Sequence, residues 1–294
     1  MTWIPDASAL SDFTQCAEYF RRRHRQGYDA GSGLAAMRGS AWHAGAKTWF
    51  ASPTSDVDAA LATLKSAWTH VEVPGVPPVQ DTLGFVRQLF EDYAVEYPRE
   101  RDPFTVEASE MYAETDIPIP DDEDATFRYC GIRDRVIAHH DGYRYVMDTK
   151  TTGSYLTTDF FAKFALDPQM RGYVALQRAL GEPVDGVYID AICTRKSIGL
   201  NPRFVRHKVL YTDWQINDWA AETSFALATI ATLDDIAPTS RWPQTGATQG
   251  RCVSMFGQEC PFRPTCLMPA EIAEQEAAER FRVHFWNPRE KAED

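Results

Sequence analysis

From Ala9 to about Arg25, apolar side chains at Leu10, Phe13, Cys16, Ala17 and Phe20 recur at helical spacing behind a Ser8 or Ser11 cap. The same period predicts a second helix over about 35–50, with Trp42, His43, Ala46 and Phe50 along it. Two further helices are predicted over 57–71 and 82–97, with a proline-rich stretch, 73–78, between them. The first third of the chain therefore reads as helical.

A period of two then takes over. Segments 104–117, 126–138 and 143–149 are rich in alternating and β-branched residues. Asp121-Asp122-Glu123-Asp124 and His140-Asp141-Gly142 lie between them as turns, so three antiparallel strands are expected. A helix over 168–180 follows, with Asp167 as its cap and Gly181 as its stop. Strands over 184–194 and 204–211, a long helix over 212–233 and a final helix over about 269–285 complete the pattern. The expected fold class is α/β: a mixed central β-sheet flanked by helices, with an N-terminal helical region.

Composition narrows the function classes. The 294 residues are 44% hydrophobic and 24% charged, enough for a globular enzyme with a sizeable core. No run approaches the roughly 18 apolar residues that span a bilayer. Met1-Thr2-Trp3-Ile4-Pro5-Asp6 lacks the basic-then-apolar order of a secretory signal, so a cytoplasmic or phage-encoded intracellular protein is expected, with no membrane partner. A net charge of -12 argues against a general nucleic-acid coat. Positive charge is instead local, in Arg21-Arg22-Arg23-His24-Arg25 and at Arg203, Arg206, His207 and Lys208. Arg21 and Arg22 are carried forward as candidate DNA contacts.

Four short polar motifs stand in order: Gly39-Ser40-Ala41-Trp42-His43, Gly131-Ile132-Arg133-Asp134, Asp148-Thr149-Lys150 and Gln169-Met170-Arg171-Gly172-Tyr173. Asp134 and Asp148 fall on adjacent predicted strands, where two carboxylates converge on one hard cation if the strands pair. Lys150 lies two residues past Asp148, so alternation puts both side chains on one face. A lysine there orients or deprotonates an attacking water, or stabilises charge on a phosphorane-like centre. Thr149 points away but offers its carbonyl. Taken alone, an Asp-x-Lys is most often a surface ion pair and a helix histidine a core residue. Here the apolar run Tyr143-Arg144-Tyr145-Val146-Met147 places the acid in buried surroundings, where an unpaired carboxylate is costly.

These motifs resemble the PD-(D/E)XK nuclease superfamily, and within it the RecB-like branch. The resemblance covers positions 39 to 173 in the family's order. It implies that His43, Asp134 and Asp148 bind Mg2+ or Mn2+ with help from the Thr149 carbonyl, and that Asp134, Asp148 and Lys150 are catalytic. An imidazole beside oxygen ligands tilts the choice toward manganese. It further implies that Gln169 supports the site or the DNA backbone and that Tyr173 touches the DNA strand. Gln169 and Tyr173 stand one helical turn apart.

Six cysteines occur. Cys130 and Cys193 sit in apolar strands and read as core residues. Cys252, Cys260 and Cys266 share a loop with few regular backbone hydrogen bonds, which suggests a metal that organises it; a fourth thiolate would complete a zinc site or an iron-sulfur cubane. The resemblance supplies Cys16 as that fourth ligand, because RecB-like members of AddB and CRISPR-associated type hold a 4Fe-4S cluster with one N-terminal and three C-terminal cysteines. Zn2+ is the alternative. Cys252 precedes Cys260 by eight positions, where three is the commoner family spacing.

The expected organisation is an N-terminal helical region, 1–100, a nuclease core, 101–235, and a cysteine-cluster segment, 236–294, packing on the N-terminus. The expected activity is hydrolysis of DNA phosphodiester bonds by an exonuclease that acts on ends or single strands, in recombination, repair, phage or CRISPR-related processing. A helicase, recombinase or CRISPR adaptation protein is the expected kind of partner, since the chain has no phosphate-binding loop of its own. The alternatives are an endonuclease of the same fold, or a non-catalytic DNA-binding or structural iron-sulfur subunit.

Overall fold

The computed structural model describes residues 3–31, 33–68, 82–120, 122–253, 259–285 and 287–289. The proline-rich stretch 73–78 and the end of the helix predicted over 57–71 lie outside these residues. The chain divides into two compact units. One comprises Met1–Gly31, Tyr112–Gly131 and Asp213–Asp294, and the other Ser32–Met111 and Ile132–Thr212.

In the first unit the N-terminal stripe does not fold as one helix. α1 (Ala7–Gln15) is capped by Asp6, whose carboxylate accepts the Ala9 N–H at 2.8 Å. Cys16 then takes extended backbone angles, α2 (Ala17–Phe20) restarts the helix, and Arg21–Arg25 continue it as a π-helical turn. The break lets the Glu18 N–H donate to Pro243 O at 3.2 Å while its carboxylate accepts the Trp242 N–H at 2.9 Å. Tertiary hydrogen bonds here outweigh helical continuity. A short β1 (Tyr28–Asp29) ends the segment.

The second unit opens with three helices, α3 (Leu34–Ala51), α4 (Val57–Ser66) and α5 (Thr82–Glu96). Gly45 sets the distance between α3 and α4: a Cβ there would meet Leu64 Cβ at 3.1 Å and Ala60 O at 3.2 Å. Trp42, Trp49, Phe90 and Tyr93 of these helices pack on Tyr145, Met147, Tyr188 and Ile192.

The strands are β2 (Phe104–Ile119), β3 (Asp122–His139), β4 (Arg144–Thr152), β5 (Gly186–Cys193) and β6 (Phe204–Leu210), in that spatial order in a five-stranded mixed sheet. Strands β3 and β4 pair antiparallel, β4 and β5 parallel, and β5 and β6 antiparallel. The parallel pair needs a crossover, which is built from α6 (Thr158–Ala162), a 3-10 turn at Lys163–Leu166, and α7 (Pro168–Ala179). Asp167 caps α7 as expected, accepting the Gln169 and Met170 N–H groups at 2.9 and 3.1 Å. α6 had no sequence signal, because five residues are too few to display a period. At Gly186 a Cβ would stand 2.0 Å from Val209 O, so only glycine lets β5 and β6 pair there.

The chain then returns to the first unit with α8 (Asp213–Ile236), α9 (Arg263–Cys266), α10 (Ala270–Arg280) and β7 (Arg282–Val283). The final helix, expected to reach 285, stops at Arg280, and β7 pairs antiparallel with β1. Phe281 is drawn out of helical register by its ring contacts with Phe262 at 4.8 Å and Tyr28 at 6.0 Å. Among the described residues, no helix is long and apolar enough to cross a membrane.

Candidate active site

One place in the second unit gathers residues from α3, β2, β3, β4 and α7. His43 Nδ1 lies 3.2 Å from Asp134 Oδ2. The same carboxylate accepts the Thr149 backbone N–H at 2.9 Å, which binds β3 to β4 at this point. Lys150 Nζ lies 2.8 Å from Asp148 Oδ2 and donates to Gln169 Oε1 at 2.8 Å. Gln169 Nε2 in turn donates to the Tyr173 hydroxyl at 2.8 Å. The Asp148-Thr149-Lys150 and Gln169–Tyr173 motifs are thus linked from β4 to α7.

Burial is graded across the site. Asp148 and Asp134 keep 3% and 12% of their side-chain surface exposed, while Lys150 and His43 keep 29% and 35% and face solvent. Burial alone would raise the Asp134 pKa, but the charge and hydrogen bond of His43, with Arg135 and the Thr149 N–H, hold it well below the usual carboxylate range. Asp148 moves the other way: burial, opposed by Lys150 and reinforced by Asp134, raises it. Burial works to lower the Lys150 and His43 values, yet Asp148 lifts the lysine and Asp134 lifts the imidazole above their ordinary values. The second face of β4 is satisfied separately, for Arg135 donates to Thr149 Oγ1 at 3.0 and 3.2 Å and stacks over Phe50.

Glu110 is a member that the sequence did not disclose. It lies on β2 with a φ of +50°, a left-handed conformation rare for a residue with a Cβ. Burial and the nearby Asp134 raise its pKa, against His43, Lys47 and Arg135. The strand carries Glu107, Glu110 and Glu114, and strict alternation gives no reason to choose among them. Only the backbone outlier, invisible in sequence, singles one out.

Among the described residues, no three histidine, cysteine, aspartate or glutamate side chains converge closely enough to hold an ion. Each carboxylate is instead paired with a basic side chain, His43 on Asp134 and Lys150 on Asp148. The donor chemistry nevertheless suits a hard divalent ion. Asp148 Oδ2 is buried, and the Lys150 contact is an ion pair outside hydrogen-bond angles, so this oxygen has no hydrogen-bond partner.

A sequence profile of the PD-(D/E)XK nuclease superfamily matches residues 7–267. The chain belongs to that superfamily. Its members typically use Mg2+ or Mn2+. Among solved structures, a Eubacterium rectale protein named "Putative exonuclease" is similar in fold, with a TM-score of 0.51 and 12% identity over 79% of this chain and 81% of that one. A second, SSO0001, reaches a TM-score of 0.30 with 12% identity over 64% and 74% of the two chains. No curated protein matches the sequence.

The predicted residues Cys16, Arg21, Arg22, Cys252, Cys260 and Cys266 of this PD-(D/E)XK protein lie in the first unit. Arg21 and Arg22 are not surface cations: they are 2% and 0% exposed. Both guanidiniums bind Glu18 at 2.8 Å, and Arg21 also reaches Glu274 at 2.6 Å. The candidate DNA contacts of the sequence are thus enclosed in this unit and paired with Glu18 and Glu274. Cys130 and Cys193 are fully buried, and the Cys130 thiol is pushed up to about 12 by burial. Cys16, Cys252, Cys260 and Cys266 are free thiols of the same unit. Cys16 lies against Gly246, and the Cys260 N–H donates to Cys252 O at 2.9 Å. Burial raises Cys266 to about 11 and also raises Cys260, and each thiol lies within electrostatic reach of Cys16.

Proposed function

We propose that this chain is a divalent-metal-dependent deoxyribonuclease, an exonuclease acting on DNA ends or single strands. The observation that carries the reading is the convergence of His43 with Asp134, and of Asp148 with Lys150 and Gln169, in a superfamily member. Asp134, Asp148 and His43 would hold Mg2+ or Mn2+, with the Thr149 carbonyl as a further oxygen donor and Glu110 as a third carboxylate. When bound, the ion supplies Lewis-acid polarisation of the phosphate and a more acidic water.

The residues divide the remaining work. Asp148 raises the Lys150 pKa, which favours the lysine as a charged donor. Such a donor orients water and stabilises the extra negative charge that develops on the phosphoryl oxygens. Gln169 fixes the ammonium in place, and Tyr173 fixes Gln169. The exonuclease assignment draws on the RecB-like motif order and is consistent with the name of the Eubacterium rectale neighbour. The decisive assay incubates end-labelled linear DNA and covalently closed circles with Mn2+ and either wild type or Asp148→Ala. Mononucleotide release from linear DNA alone, absent in the variant, is expected. Equal cleavage by the variant would remove these residues from the reaction, and cutting of circles would make the chain an endonuclease.

The reading extends to a 4Fe-4S cluster on Cys16, Cys252, Cys260 and Cys266, with Zn2+ as the alternative. Burial raises Cys260 and Cys266, and Arg251 and Arg22, within electrostatic reach of them, oppose that rise in part. A cluster would close a loop of about 240 residues between Cys16 and Cys252 and would act mainly on stability. Protein purified without air should be brown, with iron and acid-labile sulfide in equal amounts. A colourless protein with bound zinc selects the alternative.

A further inference from the structure

Beyond Lys150 the sheet ends in two loops with an unusual composition. Residues 149–158, Thr-Lys-Thr-Thr-Gly-Ser-Tyr-Leu-Thr-Thr, and 191–204, Ala-Ile-Cys-Thr-Arg-Lys-Ser-Ile-Gly-Leu-Asn-Pro-Arg-Phe, contain no acid and carry Lys150, Arg195, Lys196 and Arg203. In a protein of net charge -12, an acid-free cationic edge is a marked local departure.

The two loops are fastened to each other. The Thr194 N–H and hydroxyl donate to Thr152 O at 2.7 and 3.1 Å, and Arg195 Nη1 donates to Gly153 O at 3.2 Å. Arg203 Nη1 donates to Arg195 O at 2.8 Å and to Cys193 O at 3.1 Å. On this frame the Arg195 guanidinium lies 4.5 Å over the ring of Tyr155, which is 38% exposed. One ring face is covered by a cation while part of the ring stays open to solvent. Asp148, Asp159 and Asp190 border these two stretches in sequence; Asp148 and Asp190 are buried, and Asp159 on α6 is exposed.

We propose that Tyr155 and Arg195, flanked by Lys196, form a stacking platform for the bases of single-stranded DNA that leads into the Asp148–Lys150 site. This inference rests on the nuclease reading and deepens it, because it selects single strands over duplex ends. Stacking on an aromatic ring requires an open base face, which every base of a single strand can offer, whereas a duplex stacks its internal base faces on one another and leaves only the terminal pair open. The neighbouring cations supply the backbone attraction that such platforms need. Tyr155 lies five positions past Lys150, so no more than about 18 Å of chain lies between them. A short stretch of single strand bridges that span.

The test reads binding rather than cleavage. Fluorescence anisotropy with the full chain, without divalent ions, measures affinity for a labelled oligothymidine and for a blunt duplex. Tyr155→Ala is expected to weaken oligothymidine binding about tenfold and to leave duplex binding unchanged, while Tyr155→Trp retains affinity. Arg195→Ala and Lys196→Ala each reduce the salt slope for single strand by about 0.7. Tyr155 is a surface residue, so unchanged thermal melting of the variants confirms intact folding. Equal affinity of wild type and Tyr155→Ala overturns the proposal, as does an equal loss for both DNAs or no binding by wild type. Tyr155-dependent binding without cleavage would leave the platform standing and sink the catalytic reading instead.

Discussion

Lys150 Nζ donates to Gln169 Oε1 at 2.8 Å, joining β4 to the first turn of α7 across the parallel crossover. The lysine is therefore held at two points, by Asp148 and by an amide from another element. Gln169→Leu removes the second point while leaving the charge in place. Its expected effect is a roughly 10- to 100-fold lower cleavage rate, the cost of misplacing a catalytic group, with unchanged DNA affinity. Tyr173→Phe acts through Gln169, so its loss is smaller and non-additive with Gln169→Leu in a double-mutant cycle. Additive effects would show that the two residues work independently.

Proton and metal compete for His43. Asp134 raises the imidazole above its ordinary value of 6.5. In the metal-free protein the pair's stabilisation is fully present below about pH 6.5 and fades as pH rises through the raised value. A metal ligand must be neutral, so Mn2+ affinity changes in the opposite sense. Calorimetric titration should show affinity rising about tenfold per pH unit below the His43 value, with one proton released per ion. In His43→Asn that slope disappears. A pH-independent affinity in wild type would separate His43 from the ion.

Strain at Glu110 sets stability against activity. A left-handed non-glycine residue costs of order 1–3 kcal/mol, and burial of its carboxylate adds to the cost. Glu110→Gly relieves both, so denaturant unfolding should show a gain of about 1 kcal/mol. Mn2+-dependent cleavage should fall at the same time. A variant that loses stability along with activity would assign Glu110 a structural role.

Glu18 is the anchor of the first unit. It is 1% exposed and neutralises both Arg21 and Arg22, while its carboxylate also accepts the Trp242 N–H. Glu18→Ala leaves two buried guanidiniums short of a partner, and a loss of about 3–5 kcal/mol is expected. Chemical denaturation monitored by tryptophan fluorescence measures it. A loss under about 1 kcal/mol would mean that Glu274 and solvent take over the charge.

Much of this protein is written in local pattern. The α3 stripe, the Asp167 cap of α7 and the alternating strands follow from periods of 3.6 and two, which neighbouring residues set among themselves. The resemblance carried by the Gly-x-x-x-His, Gly-x-x-Asp, Asp-x-Lys and Gln-x-x-x-Tyr motifs likewise picked out residues that the fold brings together, His43 with Asp134 and Lys150 with Asp148 and Gln169. What the sequence left undecided depends on partners far along the chain. Arg21 is buried by Glu274, 253 residues away, and β1 finds its partner only in β7. The helix breaks at Cys16 where Trp242 and Pro243 arrive, and Glu110 joins the site through a backbone angle that no periodicity encodes. Burial, and with it the sense of each charge, is a property of the packed chain: Arg21 and Arg22 read as surface in a run of five basic residues until the fold sets Glu18 and Glu274 against them.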